Sequence, residues 1–148
     1  MCDYCGCRSM PVIADLGDDH ERILLLAGDI RRALAAGSTA DAEEALEDLR
    51  VVLVLHHAVE EASLLPALAT EGLADEVATQ ASEHAAESRA LAELRGVHDP
   101  SLASVLDDLH DHISREEYDL FPAALLAIGP ADWDLVERHA AEARTDGR

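Results

Sequence analysis

The chain has 148 residues and sets 11 basic side chains, all of them Arg, against 31 acidic ones, for a formal net charge of −20. Such a surface repels phosphate, which excludes nucleic acid and anionic membrane faces as expected direct partners. The length suits one domain with its own core. A composition that is 49% hydrophobic but only 3% aromatic, with Ala and Leu dominant, favours helices over strands.

The first seven residues, Met1-Cys2-Asp3-Tyr4-Cys5-Gly6-Cys7, have neither the basic nor the apolar region of a secretory signal. Three cysteines cannot form an even disulfide framework, so a cytoplasmic setting is expected. Cys2, Cys5 and Cys7 suit a second metal or cluster, a redox-active thiol pair or a free tail. Pro11 closes this leader, residues 1–11. A first helix is expected from Asp15 to Ala36, stopped by Gly37-Ser38, and a second from Asp41 to Thr70. A third runs from Leu73 to Arg95 and ends at Gly96. Ser101 caps a fourth, which continues to Ile128, and a shorter fifth runs from Asp132 to Ala143. Pro66 and Pro122 should kink the second and fourth helices. No segment alternates with period 2, so no strand is expected. The fold class is all-α: an up-down-up-down four-helix bundle over residues 12–128, with a C-terminal helix and tail over 129–148. No apolar run approaches the roughly 18–20 residues of a membrane span.

The second and fourth helices repeat at an offset of 56: His56, Glu60, Glu61, Leu64, Pro66 and Ala67 return as His112, Glu116, Glu117, Leu120, Pro122 and Ala123. The first and third echo each other more weakly at an offset of 64, with Asp19-His20 matched by Glu83-His84. Residues i and i+4 share a helix face about 5–6 Å apart, so each H-x-x-x-E offers two ligands to one metal or to adjacent metals. His56 lies in line with Leu49, Leu53 and Leu64, and His20 with Leu16, Leu24 and Ala27. His84 is flanked by Val77, Ala81 and Leu91, and His112 by Leu109 and Leu120. All four imidazoles should therefore face the bundle axis. A single H-x-x-x-E is ordinarily a solvated pair, but a doubled one on apolar stripes is different. Burying four imidazoles and two carboxylates is costly unless a cation sits among them.

His20, His56-x3-Glu60, His84 and His112-x3-Glu116, with both E-E-x-x-L-[LF]-P tails, resemble the hemerythrin-like (HHE cation-binding) domain from about His20 to Pro122. The ferritin-like di-iron proteins order their motif the other way, as E-x-x-H at i, i+3. The resemblance implies a left-twisted bundle around a non-haem di-iron centre, with Glu60 and Glu116 bridging two irons and His20, His56, His84 and His112 as terminal ligands. Ligand chemistry alone admits iron, manganese or zinc. Oxygen-carrying relatives place a second His four residues after the position of His84, where this chain has Ser88. Either Ser88 leaves a coordination position open, or His57, about 100° round the helix from His56, swings in as the missing ligand; Glu87 is a further supporting residue.

His98, His110 and His139 are expected at the surface, and Tyr118 against the fifth helix. Asp108 and Asp119 are placed to orient the imidazoles. The function expected is binding of dioxygen, nitric oxide or peroxide for sensing or detoxification, with any enzymatic activity being redox chemistry at the metals. The alternative is an iron-binding or iron-sensing module without turnover.

Overall fold

A computed structural model describes residues 6–147, and these are mostly helical, with no strand among them. A short 3-10 turn, Cys7–Ser9, leads into α1 (Pro11–Ala35), α2 (Thr39–Ala62), α3 (Leu64–Thr70), α4 (Ala74–Glu93) and α5 (Leu102–Arg115). A π turn, Glu116–Leu120, joins α5 to α6 (Phe121–Ala127), and α7 (Pro130–Asp146) ends the fold. The cysteine site expected at Cys2, Cys5 and Cys7 lies outside the described residues, apart from the backbone of Cys7.

Pro11 opens α1, because proline suits the first helical position, where its missing N–H would have no partner. The helix stops at Gly37, whose φ of 75° is left-handed. There the Gly37 N–H donates to Leu34 O and the Ser38 N–H to Ala33 O, a Schellman closure. The second predicted helix is split at Ser63. Pro66 has no N–H to give, and its ring meets the carbonyl four residues back, so the ladder breaks there. In the fourth helix Pro122 is accommodated differently, by the π turn that precedes it, in which the Phe121 N–H donates to Glu116 O. Ser101 does not cap α5 with its side chain, contrary to expectation. Asp99 organises that corner, its carboxylate accepting from the Arg95 and Ser101 N–H groups.

α1 packs along α2, α2 against α4, α4 against α5, and α5 back against α1. α7 lies on α2, α1 and α3 and buries Trp133, Val136 and Ala140. The segment Thr39–Thr70 is apolar and long enough, by length and composition alone, to cross a membrane. Half of its most apolar window is buried inside the protein, however, so it serves here as a core helix. Two apolar clusters make up the core. One holds Ile23, Ile30, Leu49, Leu53, Leu106 and Leu109; the other holds Ile13, Leu16, Leu64, Leu68 and Phe121. In α1, α2, α4 and the stretch from α5 into the π turn, the predicted ligands fall where the two clusters meet, so a polar layer crosses an otherwise apolar interior.

Candidate metal centre

Each helix delivers its residue by the spacing already noted. α1 supplies His20, α2 supplies His56 and Glu60, α4 His84, α5 His112, and the first residue of the π turn is Glu116. None of these six exceeds 1% exposure. The Nε2 atoms of His20 and His56 are 3.2 Å apart. Glu116 lies among all four rings: its Oε2 is 2.9 Å from His20 Nε2 and 3.8 Å from His56 Nε2. Its Oε1 is 2.8 Å from His112 Nε2 and 3.3 Å from His84 Nε2. Glu60 Oε2 is 3.3 Å from His84 Nε2 and 3.9 Å from His56 Nε2. The structure thus brings all six residues together, with every Nε2 turned inward.

The opposite ring nitrogens face outward to carboxylates on neighbouring helices. His20 Nδ1 is 2.9 Å from Glu117 and His84 Nδ1 is 2.9 Å from Glu61. His112 Nδ1 is 2.8 Å from Glu83, and His56 Nδ1 is 3.7 Å from Asp19. The four pairs run in one sense: α1 to α2, α2 to α4, α4 to α5, and the π turn back to α1. Hydrogen bonds to the outer nitrogens of His20, His84 and His112 fix their tautomers and make the inner nitrogens better metal donors, whereas His56 Nδ1 has only the ion-pair approach of Asp19. Asp108 and Asp119, expected in this role, are exposed and do not perform it. The four carboxylates that do perform it each adjoin a motif residue in sequence, as the residue before His20 or His84 or the residue after Glu60 or Glu116.

The electrostatics of the cluster follow from burial and pairing. Burial alone would lower the His20 and His84 pKa values. The carboxylates of Glu116 and Glu117 beside it outweigh burial at His20, raising it to about 9. Those of Glu116 and Glu60 raise His84 to about 11. Burial and the neighbouring Glu116 charge push the Glu60 carboxyl up, whereas the four imidazoles around Glu116 overcome its burial and hold it well below the usual range. Despite these close approaches, both carboxylate oxygens of Glu60, Glu116 Oε2 and His112 Nε2 make no well-directed hydrogen bond. Orphaned inward-facing acceptors are what a cation would satisfy. Two groups of donor atoms each lie within a 4.8 Å span, His20-His56-Glu116 and Glu60-His84-Glu116, and Glu116 belongs to both. The residues present therefore fit a metal centre.

His57 is also buried, and its ring stacks on His84 with centroids 3.9 Å apart and planes 11° from parallel. Burial and the adjacent imidazoles hold its pKa down at about 2. Glu87, half-buried beside His57 and His112, is pushed up to about 7, chiefly by burial. His98 and His110 are exposed as expected, while His139 is half-buried. Tyr118 is 58% exposed and lines a cleft with Arg8, His20 and Leu24.

An all-helical domain with a buried layer of imidazoles and carboxylates defines a metal-binding class. The sequence model of one family, described as the Hemerythrin HHE cation binding domain, matches residues 12–124. The chain belongs to that family. No curated protein and no solved structure matches it.

Proposed function

We propose that this chain is a non-haem di-iron protein that binds dioxygen, nitric oxide or peroxide for sensing or detoxification in the cytoplasm. The observation that carries the reading is the convergence of four imidazole Nε2 atoms on two fully buried carboxylates, one of which, Glu116, is shared by two donor groups. His20, His56, His84 and His112 would be terminal ligands and Glu60 and Glu116 would bridge, in an up-down four-helix arrangement of α1, α2 with α3, α4, and α5 with α6. Bound iron would supply a redox-active centre that takes up a small ligand. The chain does the rest. Apolar layers on both sides exclude bulk water from the centre, Glu61, Glu83, Glu117 and Asp19 hold the rings, and the two buried carboxylates balance the cationic charge. His20 and Glu117 line a surface cleft, which brings solvent within reach of one ligand.

The test is metal analysis of protein from iron-supplied cells, followed by absorption spectra of the reduced protein mixed with each of the three ligands. About two irons per chain and a new charge-transfer band support the proposal. Iron without any spectral response identifies an iron-binding or iron-sensing module without turnover, and metal-free protein from iron-supplied cells overturns both.

A further inference from the structure

The twofold echo between the halves of the chain breaks in one place. At the offset of 56 His57 corresponds to Ile113, and at the offset of 64 Glu87 and Ser88 correspond to Ile23 and Leu24. One half of the layer is therefore polar where the other is apolar. In the polar half, His57 Nδ1 lies 3.4 Å from Ser88 Oγ, while Nε2 has no hydrogen-bond partner although the side chain is only 6% exposed. Glu87 Oε2 approaches that nitrogen to 3.2 Å, and Glu116 Oε1 approaches His112 Nε2 to 2.8 Å, in neither case as a well-directed hydrogen bond. A ring nitrogen from each of His57, His84 and His112 falls within one 4.8 Å span. Burying His57 Nε2 and His112 Nε2 without well-directed hydrogen bonds is costly, and a cation shared with His84 relieves both.

We propose that His57 is a third imidazole donor to the metal held beside His84 and His112, so that the two metal positions are chemically unlike. The inference rests on the metal-centre reading above. His57 reaches this place from α2 because Ser88 on α4 is small enough to leave room for its ring, and the Ser88 hydroxyl takes the outward role that carboxylates take for the other four imidazoles.

Anaerobic ferrous-ion titration of the metal-free chain, read by bound iron per chain and by calorimetry, tests this. His57→Phe keeps an aromatic ring stacked on His84 but offers no nitrogen, and His57→Ala with Ser88→His returns an imidazole from the neighbouring helix. With helix content unchanged by circular dichroism, H57F should hold one of the two ions more weakly by more than about 100-fold, beyond the usual cost of losing an outer partner. The double variant should recover to within about 10-fold of the original affinity. Two ions bound by H57F as tightly as by the unaltered chain overturn the role of His57 alone. No iron bound by the unaltered chain overturns the metal-centre reading itself.

Discussion

The Nδ1 atom of His20 stands 2.9 Å from the carboxylate of Glu117, the residue that follows Glu116 in the chain. One E-E pair thus sends its first carboxylate to the centre of the layer and its second to the back of a ring on another helix, and Glu60-Glu61 does the same toward His84. Glu117→Ala or Glu61→Ala should weaken iron binding by about 10–100-fold, because the ring loses both its orientation and part of its basicity. Competition with a chelator of known affinity measures this. Asp108→Ala and Asp119→Ala, at exposed positions, should leave the affinity unchanged. Equal affinity in E117A, E61A and the unaltered protein would show that the outer carboxylates do not support the rings.

Metal removal should lower stability by linkage. A cation that binds the folded chain and not the unfolded one stabilises by about 4 kcal/mol at a thousandfold excess over Kd, which for this size is on the order of 10 °C. Thermal unfolding with and without a strong chelator should show that shift in the unaltered chain and in His110→Ala. His56→Ala with His112→Ala should unfold at the same temperature in both conditions. A shift that persists in the double variant would place the stabilising ion elsewhere.

The six buried donors were legible because i, i+4 spacing is local, and because the repeat at offset 56 marks His56, Glu60, His112 and Glu116 twice over. The outer carboxylates were not, since each pairing joins two helices and depends on which neighbours face each other. Their signal was nonetheless present: an acidic residue precedes both His20 and His84, and a second Glu follows both Glu60 and Glu116. The effects of Pro66 and Pro122 were legible as disturbances, but not their form. Matching E-E-x-x-L-[LF]-P motifs gave a break at Ser63 in one helix and a π turn in the other, a choice that packing settles. The hydroxyl of Ser101 read as a cap, yet the carboxylate two residues earlier holds that corner.

That carboxylate gives a pH prediction clear of the metal centre. The backbone N–H groups of Ser101, first, and Arg95 hold the Asp99 pKa below its ordinary 3.8. A depressed folded pKa means stability that is present above the unfolded pKa and lost as pH falls through the folded one. Asp99→Asn should therefore lower the midpoint of the metal-free protein at neutral pH, and the gap should close on acidification through the carboxylate range. Thermal scans of both proteins over that range measure it, and a gap that widens in acid would contradict it.

Gly28 offers a gain in stability that should leave the centre untouched. It sits inside α1, where a Cβ would meet only the tip of the Arg32 guanidinium, 2.9 Å away, and that flexible end can move aside. Ala should favour the helix by roughly 0.5–1 kcal/mol over Gly. Denaturant unfolding of metal-free Gly28→Ala should show the increase with unchanged iron affinity. A loss of stability would mean that the displaced Arg32 contributes more than helix propensity gains.

Arg144 extends the ring of supporting charges beyond residues 12–124, the span of the family match. From α7 its Nη2 donates to Asp19 Oδ2 at 2.8 Å, and the same oxygen faces His56 Nδ1 at 3.7 Å. Burial would raise the Asp19 pKa, but His56 and Arg144 together hold it low, so the carboxylate stays charged behind the ring. Arg144→Gln should free Asp19 to turn toward solvent and weaken iron binding. The loss should be at most about 10-fold, because both partners are partly solvated and the pair is screened. Arg144→Lys should restore part of that loss. Iron affinity is the deciding measurement, since a role confined to docking α7 would lower the thermal midpoint of the metal-free protein and leave the affinity where it was.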